Sequence, residues 1–349
     1  MQVIDIAHQF YTGAVAQQVY PEPSGRTNQT WMVDLSDSTL AVLQRINTEL
    51  YPDPNRLMSN FYLISNFLSK IESPMLYLSP FYTVSGDLLY VDDEGYSWRC
   101  YRFISGTVEH ERIDAGLASG LGYAAGELHR TLNGFPVEQL SPIIPNYHNT
   151  PRIYEQFTQI LGQASEQRIE RASGEIGYIQ KQSSIYPSLL EKNLPARVTH
   201  NKISPRHLVL DTATRAPVAL IDYDAFMPGI LAFDFGDGAR CVCHTNSPTE
   251  PDMLQVKFDL ELFTRYTTGF LSRVKYIIDD TEPSSLAIGC IIMTIEHGIR
   301  LLGRFLAAQG EGEEVENELQ RARVQLYLSI QMKEQYKEMV NVIKNCFLA

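Results

Sequence analysis

The sequence predicts an α+β fold in two parts, and three observations predict it. Its 349 residues exceed the length at which a single hydrophobic core stops growing, so two lobes are expected. Up to residue 104, short segments rich in Val, Leu, Tyr and Trp alternate with turn residues, which is the pattern of strands. Beyond that point apolar residues recur at helical spacing. The reading is a small antiparallel β-rich lobe with one helix over residues 1–104 and a large, mainly helical lobe over 105–349, which contains a hairpin segment at 197–240.

In the first lobe AVAQQVY, QTWMVDL, TLAVLQRI, DLLYVDD and YSWRCYRFI read as five strands, with EPSG and DDEG as turns. The one helix opens at Asp53, a capping residue, followed by Pro54 at the first helical position. Leu57, Phe61, Ile64 and Leu68 then fall on one face of it. In the second lobe helices are expected over 113–132, 151–161, 175–190, 254–274, 285–308 and 314–346. Only 197–222 returns to short strands, and Asp234 and Asp237 of FDFGD (233–237) are read as scaffold residues that fix the loop beneath that hairpin.

A formal net charge of -12 argues against nucleic acid or an anionic membrane surface as partner, because both reward clustered Lys and Arg; a small molecule is the expected ligand. The five cysteines are odd in number and scattered, and Cys241 with Cys243 lacks the two-residue gap of a zinc or redox pair. Reduced thiols, and an N-terminus with no basic start before an apolar run, give a cytoplasmic expectation. The most apolar long segment, 286–307, contains Glu296, His297, Arg300 and Arg304, so it reads as a buried helix and not a membrane span.

Eight stretches carry a resemblance: LQRIN (43–47), WRCYRFI (98–104), HNTPR (148–152), VTHN (198–201), IDYDAFMPG (221–229), FDFGDGAR (233–240), EHGIR (296–300) and RARVQ (321–325). In this order they resemble the aminoglycoside phosphotransferase and choline kinase superfamily, and within it most nearly the N-acetylhexosamine 1-kinases. The resemblance implies a bilobal, protein-kinase-like fold, with ATP and Mg²⁺ as the cofactors of phosphoryl transfer to a small molecule. In that family's H-x-D-x-x-x-x-N pattern the aspartate orients the attacking hydroxyl and the asparagine holds a metal ion. Here Lys202 and His207 stand at those two positions, while Asp222 keeps the metal position of the following strand, with Asp224 close behind.

The substitutions have chemical consequences. A charged lysine cannot accept the hydroxyl proton, and general-base help is worth roughly 3 to 5 kcal/mol of barrier. Imidazole is a poor ligand for Mg²⁺, which prefers hard oxygens. Lys202 either neutralises Asp222 or a bound phosphate, acts as a cation, base or nucleophile, or turns to solvent. The resemblance further implies nucleotide contacts from Gly25 and from Arg45 or Gln44, although the strand has no lysine and the helix after it presents Tyr62 where relatives present an acid. It places His148, Arg152, Glu296 and Arg300 on the acceptor side, with Asn149 where the resembled motif has an acid. Standard transfer is therefore expected to be lost and the pocket put to other use by Lys202, His207 and Asp222. A kinase with a rearranged site and a non-catalytic binding protein are the alternatives.

Overall fold

The computed structural model describes residues 2–23, 27–108 and 112–349, and the chain folds as two compact units. The first comprises Met1–Thr107, Gly134–Pro145 and Val209–Pro228; the second comprises Val108–Asn133, Asn146–Leu208 and Gly229–Ala349.

In the first unit a short helix α1 (Val3–Ala7) precedes β1 (Ala16–Pro21), β2 (Gln29–Leu35) and β3 (Leu40–Arg45). Helix α2 (Pro54–Leu68) follows, then β4 (Pro80–Phe81), β5 (Tyr90–Val91) and β6 (Ser97–Arg102). The strands form one antiparallel sheet in the order β1-β2-β3-β6-β4, with β5 also on β6. Because strand side chains alternate, Val33, Leu35, Ala41, Leu43 and Cys100 share one face and are covered by Ile6, Ala7 and Phe10. The opposite face carries Val42, Gln44, Arg99 and Tyr101, and there Phe61 of α2 meets Tyr101 edge-on at 5.9 Å.

The Asp53 carboxylate accepts from the Arg56 N–H at 3.1 Å and Pro54 occupies the first turn, as expected of this helix start. Leu57, Phe61, Ile64 and Leu68 are all buried. Among the described residues the sheet has six strands and not the five expected, because Pro80–Phe81 adds a pairing too short to carry a period. The five residues of α1 are equally beyond the reach of periodicity. A hairpin of Leu208–Leu210 against Pro217–Leu220 completes this unit and leads into Asp222.

The second unit is built from α3 (Ala115–Thr131), α4 (Thr150–Leu161), α5 (Glu166–Arg171), α6 (Ser173–Lys181), α7 (Leu231–Val242), α8 (Leu260–Val274), α9 (Pro283–Ala307), α10 (Glu313–Glu334) and α11 (Tyr336–Leu348). Helix α9 is long and apolar enough to cross a membrane, yet most of it is buried in this unit, packed by α4, α7, α10 and α11. Helices α3 and α8 cross so closely that a Cβ on Gly122 would lie 2.1 Å from the Tyr266 carbonyl oxygen, so only glycine fits there.

Three expectations are corrected. No helix is expected between 222 and 254, yet Leu231–Val242 forms α7. The helix expected over 175–190 ends at Lys181, ahead of Pro187. The helix expected over 314–346 is two helices that break at Gln335.

Candidate functional site

The strand Arg197–Thr199 delivers the chain to the segment His200–His207. Its path is fixed by Asp234 on α7, whose two oxygens accept the backbone N–H groups of His200 at 2.7 Å and Asn201 at 2.6 Å. His129 on α3 adds a third neighbour, with Nε2 3.0 Å from the same carboxylate. Burial alone would raise the Asp234 pKa, but the hydrogen bond and charge of His129, and the contacts from His200, hold it below the usual carboxylate range. Asn201 takes a left-handed conformation with φ 63°, which a short amide side chain tolerates, and the turn aims the following residue, Lys202.

Residues Pro205–His207 then form one 3-10 turn. Within it, His207 Nδ1 sits 2.6 Å from the backbone carbonyl oxygen of Lys202. A carbonyl only accepts, so Nδ1 carries the proton and Nε2 is the basic nitrogen of the neutral ring. The His207 ring is thus tied to the backbone at the other replaced position.

Lys202 and His207 line a pocket of about 180 Å³ together with His148, Glu296 and Arg300. Glu296 is buried in α9; it lies 2.8 Å from His148 Nδ1 and accepts from the Thr150 hydroxyl at 2.9 Å. Arg300, one turn later, reaches it at 3.2 Å, also donates to the Tyr147 carbonyl, and stacks over the Tyr147 ring. Burial opposes ionisation of Glu296, but the charge and hydrogen bond of His148, with Arg300 and Thr150, hold its pKa below the ordinary value.

Arg152, by contrast, pairs with Glu155 on the exposed face of α4 and does not line the pocket. Asn149 caps that helix by accepting from the Arg152 N–H. Sequence reasoning gave Asp237 a scaffold role and His297 only a place in a buried helix, and it did not put either on the pocket wall. Asp237 and Arg240, one turn apart on α7, pair at 2.7 Å; burial raises the Asp237 pKa, with the Arg240 charge working against it. His297 is driven well below the usual imidazole pKa by burial and then by Arg240, Arg304, Arg300 and Arg321, so it is neutral. The spacing of Asp237 and Arg240 was a usable signal once that segment is known to be helical.

In the first unit, Asp222 also has a left-handed backbone, φ 68°, and its carboxylate caps a 3-10 turn by accepting from the Asp224 N–H. Asp224 itself is committed. It pairs with buried Arg99 at 2.5 Å and accepts from the Asn28 amide at 2.7 Å. The Gln44 carbonyl takes two bonds from the same guanidinium, 3.0 and 2.6 Å, so Gln44, Arg99, Asp224 and Asn28 form one buried chain of bonds. Arg45 points from the other face of β3, with its guanidinium 4.1 Å from the Tyr96 ring centroid. Gly25 lies outside the described residues.

At Lys202 and His207 the side chains do not suit the Mg²⁺ that the fold implies. Lys202 and His207 offer an ammonium and an imidazole where Mg²⁺ takes hard oxygens, and both oxygens of Asp224 are already used. Among the described residues no group of three or more His, Cys, Asp or Glu is placed to hold a metal ion.

A sheet unit with one long helix, and a mainly helical unit whose hairpin-flanked loop carries the polar pocket, define a protein of protein-kinase-like fold. The chain belongs to the APH phosphotransferase enzyme family, whose sequence model matches residues 21–266. In fold it is similar to an aminoglycoside phosphotransferase from Alicyclobacillus acidocaldarius, at 12% identity and a TM-score of 0.65 over 97% of this chain and 95% of that one. It is also similar to amicoumacin kinase solved with AMP-PNP, Ca²⁺ and Ami, at 13% identity and 0.68 over 93% and 92%. A microcompartment-associated aminopropanol kinase aligns at 14% identity and 0.63 over 97% and 99%.

Proposed function

We propose that this phosphotransferase-family protein has lost standard ATP-dependent transfer and uses the pocket at Lys202 and His207 for a small molecule. The observation that carries the reading is the 2.6 Å bond of His207 Nδ1 to the Lys202 carbonyl on the wall of a polar pocket. Both positions are filled by titratable groups, and the His207 ring is fixed on the backbone of residue 202, which suits binding or different chemistry better than decay. A charged lysine removes proton acceptance from the attacking hydroxyl, worth about a hundred- to ten-thousandfold. On the nucleotide side, α2 has no acid between Pro54 and Leu68, and Tyr62 packs edge-on against Tyr82. Each missing charge-assisted bond removes roughly 1.5 to 3 kcal/mol.

The second reading is a small-molecule kinase with a rearranged site. It is favoured by Asp222, which keeps the family's metal position in a left-handed conformation that only a short polar residue or glycine adopts readily. Transfer of the γ-phosphate from MgATP to a panel of sugars, amino sugars and amino alcohols separates the two. The expected result is no transfer above hydrolysis and only weak ATP binding by calorimetry. The double variant Lys202→Asp with His207→Asn should recover traces at most, because Asp224 stays committed to Arg99 and Asn28. Steady turnover by the unaltered protein would establish the second reading.

A further inference from the structure

We propose that the pocket around Lys202 takes a small molecule that bears an oxyanion, a phosphate monoester or a carboxylate; this rests on the reading that the pocket binds a small molecule at all. Three cations, Lys202, Arg240 and Arg300, line it against two carboxylates, Asp237 and Glu296. Behind them Arg304 and Arg321 share the single carboxylate of Glu318, at 2.9 and 3.8 Å. This local excess of positive charge sits in a chain of net charge -12, so it is a feature of the pocket and not of the composition.

The two carboxylates are turned to partners of their own. Asp237 is held by Arg240, and Glu296 by His148, Thr150 and Arg300, which leaves little for a cationic guest. Lysine at the position of the family's aspartate changes the local charge by two units and repels an ammonium group. His148 supplies an independent pointer. The residue lines the pocket, its Nδ1 is engaged by Glu296, its side chain is only 10% exposed, and its buried Nε2 has no hydrogen-bond partner among the described residues. A buried ring nitrogen without a partner calls for one, and an acidic ligand supplies it: the protonated ring donates to an oxyanion, and the neutral ring accepts from the ligand's acid proton. At about 180 Å³ the pocket is smaller than sites for drug-sized ligands and suits an oxyanion on a few carbons.

Calorimetry at low ionic strength tests this with inorganic phosphate, glycerol 3-phosphate and succinate, and with glycerol and 1-amino-2-propanol as neutral and cationic controls. The expected outcome is binding of at least one anion about tenfold or more tighter than both controls, weakening as salt is added. Preference for the phosphates or for succinate tells the two oxyanions apart. Lys202→Met should weaken that anion about tenfold with an unchanged melting temperature, and Lys202→Gln serves should the methionine variant misfold. Controls that bind as tightly as the anions, anion binding untouched in both lysine variants, or no anion binding into the millimolar range would each overturn the proposal. Binding of a control alone, lost on Arg300→Met, would leave the small-molecule reading standing while this inference fell; steady MgATP turnover would instead remove the reading itself.

Discussion

The two oxygens of Asp234 each accept a backbone N–H from the loop that carries Lys202, and His129 stands 3.0 Å away. Charge-assisted bonds to a buried carboxylate are among the stronger polar contacts in proteins, and both sides are desolvated here. Asp234→Asn would set an amide NH₂ against one of two backbone N–H donors, so we expect a loss of about 3 to 5 kcal/mol in urea unfolding. A loss under about 0.5 kcal/mol, typical of a surface change, would mean that the carboxylate does not hold the loop. The neighbouring question of Gln44 or Arg45 shows where single residues are legible. Both lie in one short polar run, and the sequence does not decide between them. Strand alternation does: Gln44 shares a face with Arg99, and Arg45 goes to Tyr96.

At the scale of elements, α3 and α8 depend on glycine. A Cβ at Gly122 would meet the Tyr266 carbonyl oxygen at 2.1 Å, and one at Gly269 the Ser119 carbonyl oxygen at 2.4 Å. Backbone cannot yield as a side chain can, so Gly122→Ala must part the helices. Although alanine is the better helix former, we expect a net loss of about 1 to 3 kcal/mol or more by thermal or chemical denaturation. A more stable variant would show that the two helices are not in such close contact. Strongly periodic helices such as α2 and α9 were readable from spacing, and α2 also from its Asp53 cap. Helix α7 was not, because LAFDFGDGAR places two glycines and two aspartates where a loop is the natural reading, and only burial of the whole segment against α9 makes it helical. The break at Gln335 had no local sign, since no Gly or Pro lies between Glu313 and Leu348.

For the whole molecule, the order of elements and the fold were legible, because strand and helix periods change character along the chain. The pocket was legible only in part. His148, Glu296, Arg300, Lys202 and His207 do meet, but they come from positions up to 152 apart, which no spacing rule connects. Arg152 looked equivalent to them, yet its own helix supplies Glu155 one turn on, and the local pair wins. The same burial that makes the second unit compact has a global cost in acid. His244 is buried, and that burial, followed by the charge of Arg240, lowers its pKa to about 4; His297 is held well below the usual imidazole value by the same two causes and three more arginines. A base whose folded pKa is depressed binds fewer protons folded than unfolded between about 4 and the free value near 6.5, so stability rises with pH in that window and falls as the medium is acidified. Asp234 and Glu296, with lowered pKa values, lose their contribution only further down, as pH falls below the unfolded carboxylate range. Asp237, whose pKa is raised, runs the other way and opposes the trend. Two histidines outweigh one carboxyl, so the urea midpoint should drop steadily from pH 7 to pH 5. For His244 alone the shift amounts to about 3 kcal/mol across the full window. His244→Asn, which keeps a small polar side chain without the titration, should lose part of that slope; a midpoint flat from pH 7 to pH 5 in the unaltered protein would mean that these rings are protonated, or solvated, in the folded state.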